Sequence, residues 1–191
     1  MLARVQARHE FDKLTECYAI DASPATTTEL PIVEAIAKNE IPSISAGRNV
    51  LERIHEWNPE SVFPFRSKGK ILGGVAFLYL NNLGFEALIL GEFDFACPDL
   101  KLLARPSEKP AALYIWALAA RGRAVAGMGN VSRRMHQKPF SGADYFAQPT
   151  TRDGLRFTQE IGFEPFPSGQ PDLWTYRRIC NRAASSSPIA A

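Results

Sequence analysis

Apolar positions recur at helical spacing in two early segments. Thr28 reads as an N-cap, Glu29 as an acidic first-turn residue and Pro31 as a tolerated first-turn proline. Ile32, Val33 and Ile36 follow, so a helix is predicted to run to about Asn39. After a turn at 42–45, Val50, Leu51, Ile54 and Trp57 mark one face of a second helix, which stops before Asn58-Pro59. The period then changes. Val62–Arg66 and Ile71–Leu80, rich in aromatic and β-branched residues and separated by Ser67-Lys68-Gly69, predict a β-hairpin. Gly73-Gly74 in its second arm marks a bulge or a close backbone approach.

Residues 83–110 carry two patterns. Phe85, Leu88 and Ile89 suit a helix, while Phe93, Phe95 and Cys97 alternate like a strand, so the segment reads as an insertion. Ala111–Ala120 is a continuous apolar run of strand length, as expected of a central strand buried on both faces. A glycine-containing turn, a helix to about His136 and a strand over Ala143–Gln148 follow. A helix over Thr151–Ile161 comes next, with Leu155 and Phe157 inward and Gly162 as its left-handed stop, and Asp172–Arg177 is a last strand. This order predicts an α/β fold of mixed strand direction with its chemistry at strand ends. It is expected to form one domain over residues 1–182, with a disordered tail at 183–191.

Composition narrows the partners. The 191 residues are 46% hydrophobic and 22% charged, which suits a folded domain and excludes disorder as the main state. With 22 basic against 20 acidic residues, the net charge of +2 gives no case for nucleic acid or a membrane surface. Cys17, Cys97 and Cys180 have neither disulfide nor zinc spacing, and they read as buried small hydrophobes in a reduced, cytoplasmic protein. No metal is expected.

The residues 119–129, AARGRAVAGMG, lie between a buried strand and a helix, where backbone N–H groups lack intrahelical partners. Gly122, Ala124, Ala126 and Gly127 let a ligand approach the backbone, and Arg121 and Arg123 add charge beside the helix dipole, so a pyrophosphate is the favoured ligand. Close helix packing alone explains the same small residues. A P-loop ending in Gly-Lys-Ser/Thr is absent, and Ser132 occupies the third position of the dinucleotide pattern.

Arg121-Gly122-Arg123-Ala124-Val125-Ala126 resembles the Gln/Arg-x-x-Gly-x-Gly/Ala loop of the GNAT superfamily of N-acetyltransferases, with Ala124 in place of the first glycine. Residues 150–166, TTRDGLRFTQEIGFEPF, resemble the family's later helix ending in Gly-Phe. The resemblance implies a mixed, mostly antiparallel sheet flanked by helices and splayed between the family's fourth and fifth strands. It implies acetyl-CoA as co-substrate, gripped at the pyrophosphate by residues 121–127. Backbone contacts to the pantetheine arm would come from Trp116, Ala117 and Leu118, with Thr151 as a further contact. For the side chain of Trp116, core packing is the more natural role and is compatible with the backbone contact.

That resemblance also implies transfer of acetyl to a primary amine by direct attack. The catalytic groups are harder to place. The strand Ala111–Ala120 lacks the family's glutamate, leaving Glu108 as candidate base, with Glu92 and Asp94 as others; ordinary exposure favours Glu108 as a solvated loop residue between Pro106 and Pro110. The family's acidic tyrosine is replaced by Thr158, leaving Tyr145 or Tyr114 as candidate acid. Arg133, Arg134 and Lys138 are either a solvated face or a site for the CoA 3′-phosphate. The expected partners are acetyl-CoA and an amine acceptor, without nucleic acid or membrane, and self-association into a homodimer is compatible. A non-catalytic CoA-binding module and a protein-interaction domain are the alternatives.

Overall fold

The computed structural model describes residues 20–41 and 48–178. The proposed tail at 183–191 and the turn at 42–45, together with Cys17 and Cys180, lie outside them. The first helical segment begins at Thr26 rather than Thr28. The Glu29 carboxylate reaches back to accept the Thr26 N–H (2.8 Å) and hydroxyl (3.0 Å), closing a capping arrangement. A 3₁₀ turn, Thr27–Glu29, leads into α1, Leu30–Glu40. Leu30, Val33 and Ala37 form its buried stripe, whereas Ile32 faces solvent. Helix α2, Arg48–Trp57, buries Leu51, Ile54 and His55. The His55 ring meets the Ala25 carbonyl at 2.9 Å, a satisfied core histidine.

Strands β1 (Val62–Ser67) and β2 (Lys70–Leu80) form the hairpin. Its turn uses two left-handed residues, Lys68 (φ 49°) and Gly69 (φ 74°), which suits the right-handed strand twist. The pairing jumps from Phe65↔Gly73 to Arg66↔Ile71, so the bulged residue is Leu72, one before the expected position. The close approach expected there is present: a Cβ on Gly73 would lie 2.4 Å from the Ala119 carbonyl. Strand β3, Ala112–Ala120, pairs antiparallel with β2. Strand β4 is Asp144–Ala147, shorter than predicted, and runs parallel to β3. Strands β5 (Glu164–Pro165) and β6 (Trp174–Tyr176) complete the order β1-β2-β3-β4-β6-β5, with every neighbouring pair except β3–β4 antiparallel.

The insertion begins with the expected helix, α3, Asn82–Leu90. Asn81 caps its start, accepting the Gly84 N–H at 2.9 Å, and Gly91 (φ 77°) ends it. Phe93, Phe95 and Cys97 do not form the strand their alternation suggests. Asp94 Oδ1 accepts the N–H groups of Ala96 and Cys97 and bends the chain into a loop, which leaves Cys97 exposed rather than buried. The turn after β3 coils as a 3₁₀ segment, Gly122–Ala126, so helix α4 spans Gly127–Met135. Helix α5 is Arg152–Glu160. It buries Thr158 and half-buries Phe157, whereas Leu155 is exposed, against expectation.

Two cores lie on opposite faces of the sheet. Val131 and Met135 of α4 pack with Phe63, Phe65, Phe77, Leu113 and Tyr145 on one face. Ile54, Leu88, Phe93 and Leu103 pack with Leu78, Tyr114 and Phe146 on the other, where Leu30 and Val33 also meet Val62 and Ala76. The alternation of Leu113 and Tyr114 between the faces is that of a strand covered on both sides.

Candidate functional site

The middle of the sheet is opened by one residue. The β2–β3 register passes from Phe77↔Ile115 to Ala76↔Ala117, which leaves Trp116 as a bulge on β3. The parallel β3–β4 ladder ends at the preceding residue, Ile115↔Ala147. A bulge bends its strand and ends pairing, so β3 runs on to Ala120 along one edge while the chain after β4 leaves through Gln148-Pro149. The result is a cleft of about 200 Å³. Trp116, Ala117 and Leu118 line its β3 side, and Ala147–Thr151 with Phe157, Thr158 and Phe163 line the opposite side. Ile41, at the end of α1, and Phe95, from the insertion, close one flank.

Every lining residue among those described is uncharged. Four predicted contact residues, Trp116, Ala117, Leu118 and Thr151, therefore come together in one cavity. Thr151 is also the N-cap of α5, its hydroxyl accepting the Gly154 N–H at 3.0 Å.

The loop 121–127 follows directly on β3 and does not itself line this cavity. Gly122 alone in it has positive φ (53°); Ala124 keeps negative φ and is buried, so the missing glycine imposes no backbone strain. The Ala124 N–H is donated to the Arg121 carbonyl (3.1 Å) and the Gly127 N–H to those of Ala124 and Val125, so part of the expected anion cradle is paired internally. Arg121 Nε lies 2.5 Å from Glu40 Oε1, tying the loop to the end of α1. The basic cluster is divided. Arg133 donates to Asn130 Oδ1 (3.0 Å), whereas Arg134 is engaged by Glu60 (2.7 Å) and the Lys138 carbonyl.

The candidate catalytic residues separate on geometry. Glu108 is exposed, and its carboxylate accepts the Arg105 N–H (3.0 Å) in the turn before β3. Glu92 and Asp94 are also exposed, and none of the three lines the cleft. Tyr145 packs in the α4 core, where its hydroxyl accepts from Arg178 Nη2 (2.9 Å); burial raises its pKa and Arg178 opposes the rise. Thr158 does line the cleft, but its hydroxyl donates to the Gly154 carbonyl (2.8 Å). Tyr114 lines the cleft as well, and burial holds its phenol well above the ordinary value, so it is a neutral donor at physiological pH. Ile41 was not named in the sequence, and Phe95 was named only as part of an expected strand, not for the site. Nothing local marks them, because both reach the site through the path of a loop.

Among the described residues no group of three or more His, Cys, Asp or Glu is placed to hold a metal ion, and no helix is long and apolar enough to cross a membrane. No family model and no curated protein matches the sequence. Among solved structures, the chain is similar to the loading GNATL domain of CurA from Lyngbya majuscula. The TM-score is 0.60 at 14% identity, over 83% of this chain and 98% of that one. It is also similar to a histone acetyltransferase HPA2 and related acetyltransferase from Corynebacterium glutamicum ATCC 13032 (TM-score 0.51, 14% identity, 90% and 99% covered). A third likeness is to the GphF GNAT-like decarboxylase in complex with isobutyryl-CoA (0.50, 17%, 75% and 72%). The chain thus has the GNAT fold, and the ladder between β3 and β4, the strands that carry Trp116 and Tyr145 and that the resemblance matches to the family's fourth and fifth, ends where the cleft opens.

Proposed function

We propose that the chain binds acetyl-CoA in the splayed cleft and transfers its acetyl group to an amine. The observation that carries this reading is the edge of β3 at Trp116–Leu118, which loses its strand partner on the cleft side just where the cavity opens. A ligand arm bearing successive amides can pair with such an edge as an added strand. The loop at the end of β3 offers small residues, one left-handed glycine and Arg121 to the phosphates. These features fit the pantetheine and pyrophosphate of CoA, with residues 121–127 and Thr151 as the contacts.

An ammonium first loses a proton to solvent; in direct attack by the neutral amine a C–N bond then forms as the C–S bond breaks, the amine gives up one more proton and the departing sulfur gains one, so the transfer step itself consumes no net proton. The chain must therefore relay a proton rather than supply it. Tyr114 is assigned this role ahead of Tyr145 and Glu108, because it alone of the three lines the cleft and is neutral.

Calorimetry with acetyl-CoA tests the reading. Wild type is expected to bind, and Ala126→Glu, which places a carboxylate in the phosphate loop, to bind at least about tenfold more weakly. No binding to wild type rejects it. Thiol release stimulated by amines is expected of wild type and is expected to fall in Tyr114→Phe. A second reading, a CoA-binding module without catalysis, is favoured by the uncharged lining and by Thr158 spending its hydroxyl on Gly154. CoA binding with no amine-stimulated release would select it.

A further inference from the structure

The insertion contributes a wall to the cleft that the transfer reaction itself does not require. Resting on the reading of the cleft as a thioester site, we propose that the acceptor is a small monoamine carrying an aromatic ring, seated against Phe95, Tyr114 and Trp116. Phe95 stacks on Tyr114 with ring centroids 4.6 Å apart and 28° between planes, and the Trp116 indole N–H donates to the Phe95 carbonyl at 3.1 Å. All three line the cleft; Tyr114 is buried, so Phe95 and Trp116, both half-buried, offer the accessible surface. The wall is therefore interlocked before any ligand arrives.

The rest of the loop is fixed in turn. Phe93 is buried and packs on Phe95 at 5.1 Å, Arg53 Nη2 donates to the Pro98 carbonyl (2.9 Å), Asn81 Nδ2 donates to the Lys101 carbonyl (2.7 Å) and Trp57 donates to that of Ala104 (3.1 Å). A preorganised wall spends little of a ligand's binding energy on ordering itself. Flat rings pack on such a surface in stacked or tilted geometry and gain beyond simple burial.

Charge argues in the same direction. The described lining holds no carboxylate, so a polyamine or a lysine-rich tail finds no counter-charge there and would lose solvation of its remaining ammonium groups. A monoamine whose one nitrogen reacts, and whose remaining surface is an apolar ring, avoids that cost. Tyr114 and Trp116 stand on the face of β3 away from α4, so the ring approaches from the side of α1, α2 and the insertion.

The test compares 2-phenylethylamine, butylamine and spermidine as acceptors in thiol-release assays with acetyl-CoA, using wild type, Phe95→Ala and the packing-conservative Phe95→Leu. Acetyl-CoA affinity is measured on each protein. Amine binding is also read by saturation-transfer NMR in the presence of CoA, so an enzyme without turnover still gives a result. Wild type is expected to favour 2-phenylethylamine over butylamine at least tenfold, in kcat/KM or in binding, with the preference falling below threefold in both variants, mainly through KM. Equal use of the two monoamines, a preference for spermidine, or an unchanged preference in both Phe95 variants overturns the assignment. So does a more than fivefold loss of acetyl-CoA affinity in both variants, which would place Phe95 on the donor. Failure of wild type to bind acetyl-CoA instead rejects the thioester reading beneath it.

Discussion

The seating of α4 on the sheet can be tested with one substitution made at two positions. Gly127 and Gly129 both lie in α4 with helical backbone, so helix propensity alone says that alanine should stabilise either site by up to about 1 kcal/mol. Their surroundings differ. A Cβ at Gly129 meets nothing within 4 Å, whereas at Gly127 it would lie 2.4 Å from Phe65 Cδ1 and 2.7 Å from Cγ. Phe65 is fully buried among Phe63, Val75 and Phe77, and the clash falls on the root of its ring rather than on a flexible tip. Overpacking of this kind costs roughly 1–3 kcal/mol, and a sub-3 Å contact to a rigid ring belongs at the upper end. After about 1 kcal/mol of propensity is credited, Gly127→Ala should destabilise by about 2 kcal/mol and Gly129→Ala should stabilise by up to about 1 kcal/mol. For a chain of this size, that corresponds to Tm lowered by roughly 4–8 °C in the first case and raised by roughly 2–4 °C in the second. Thermal unfolding followed by circular dichroism reads both. Gly127→Ala with a Tm equal to or above that of Gly129→Ala would refute the seating of the loop and α4 directly on β1.

Three further outcomes follow from particular contacts. The hydrogen bond and ion pair from Arg66 (2.6 Å), with those from Thr26, hold the Glu29 carboxyl at about 2 against the ordinary 4.5. A depressed carboxylate pKa stabilises fully above the unfolded value and progressively less as pH falls toward the folded one, so the contribution is present at pH 7 and fades between about 4.5 and 2. Allowing for partial exposure of the pair, Glu29→Gln should cost about 2 kcal/mol at neutral pH, and the difference from wild type should shrink below pH 4 in thermal scans; a pH-independent difference would contradict the assignment. Arg178 is buried and donates to the carbonyls of Ala143 and Met135 (both 2.8 Å) and to the Tyr145 hydroxyl (2.9 Å), so Arg178→Ala should cost about 3 kcal/mol in urea unfolding. Arg178→Lys should recover less than half of that, because an ammonium cannot reproduce the planar fork.

Where local chemistry fixes the backbone, the sequence was readable. Ser67-Lys68-Gly69 announced a hairpin, whose two adjacent left-handed residues match strand twist, and Gly162 follows α5 with positive φ as expected; Gly91, which ends α3 in the same way, was not read from the sequence. Thr26-Thr27-Thr28-Glu29 announced a helix start, but three successive threonines offer three caps. The reach of Glu29 selects the first, which was visible only as the Thr-x-x-Glu spacing. Phe93-Phe95-Cys97 misled for a related reason. Alternation is the signature of a pleated strand, yet here it arises from a loop that buries one aromatic residue in the core and lays another on Tyr114, with Asp94 between them turning the chain.

The site divides along the same line. That a cleft would open along the central strand and at the start of α5 came from the resemblance, whereas the small residues of 121–127 mark the adjoining turn and do not line it. Its shape was not legible. A strand covered on both faces is apolar at every position, so the run from Ala112 to Ala120 contains no alternation whose interruption could betray the bulge at Trp116. Yet that bulge places Trp116 and Ala117 on the same face and coincides with the end of the parallel ladder, and the cleft exists because of it. The register of β4 on β3, rather than the bulge, separates the two tyrosines. Tyr145 and Tyr114 look equivalent in sequence, one on each parallel strand. Registered as Leu113↔Tyr145, however, Tyr145 lies across from a residue of the α4 core, while Tyr114 faces the insertion beside the opening. The proposed relay at Tyr114 is therefore distinguished from Tyr145 by strand register rather than by residue type, and register is set by strand pairing, which no local segment encodes.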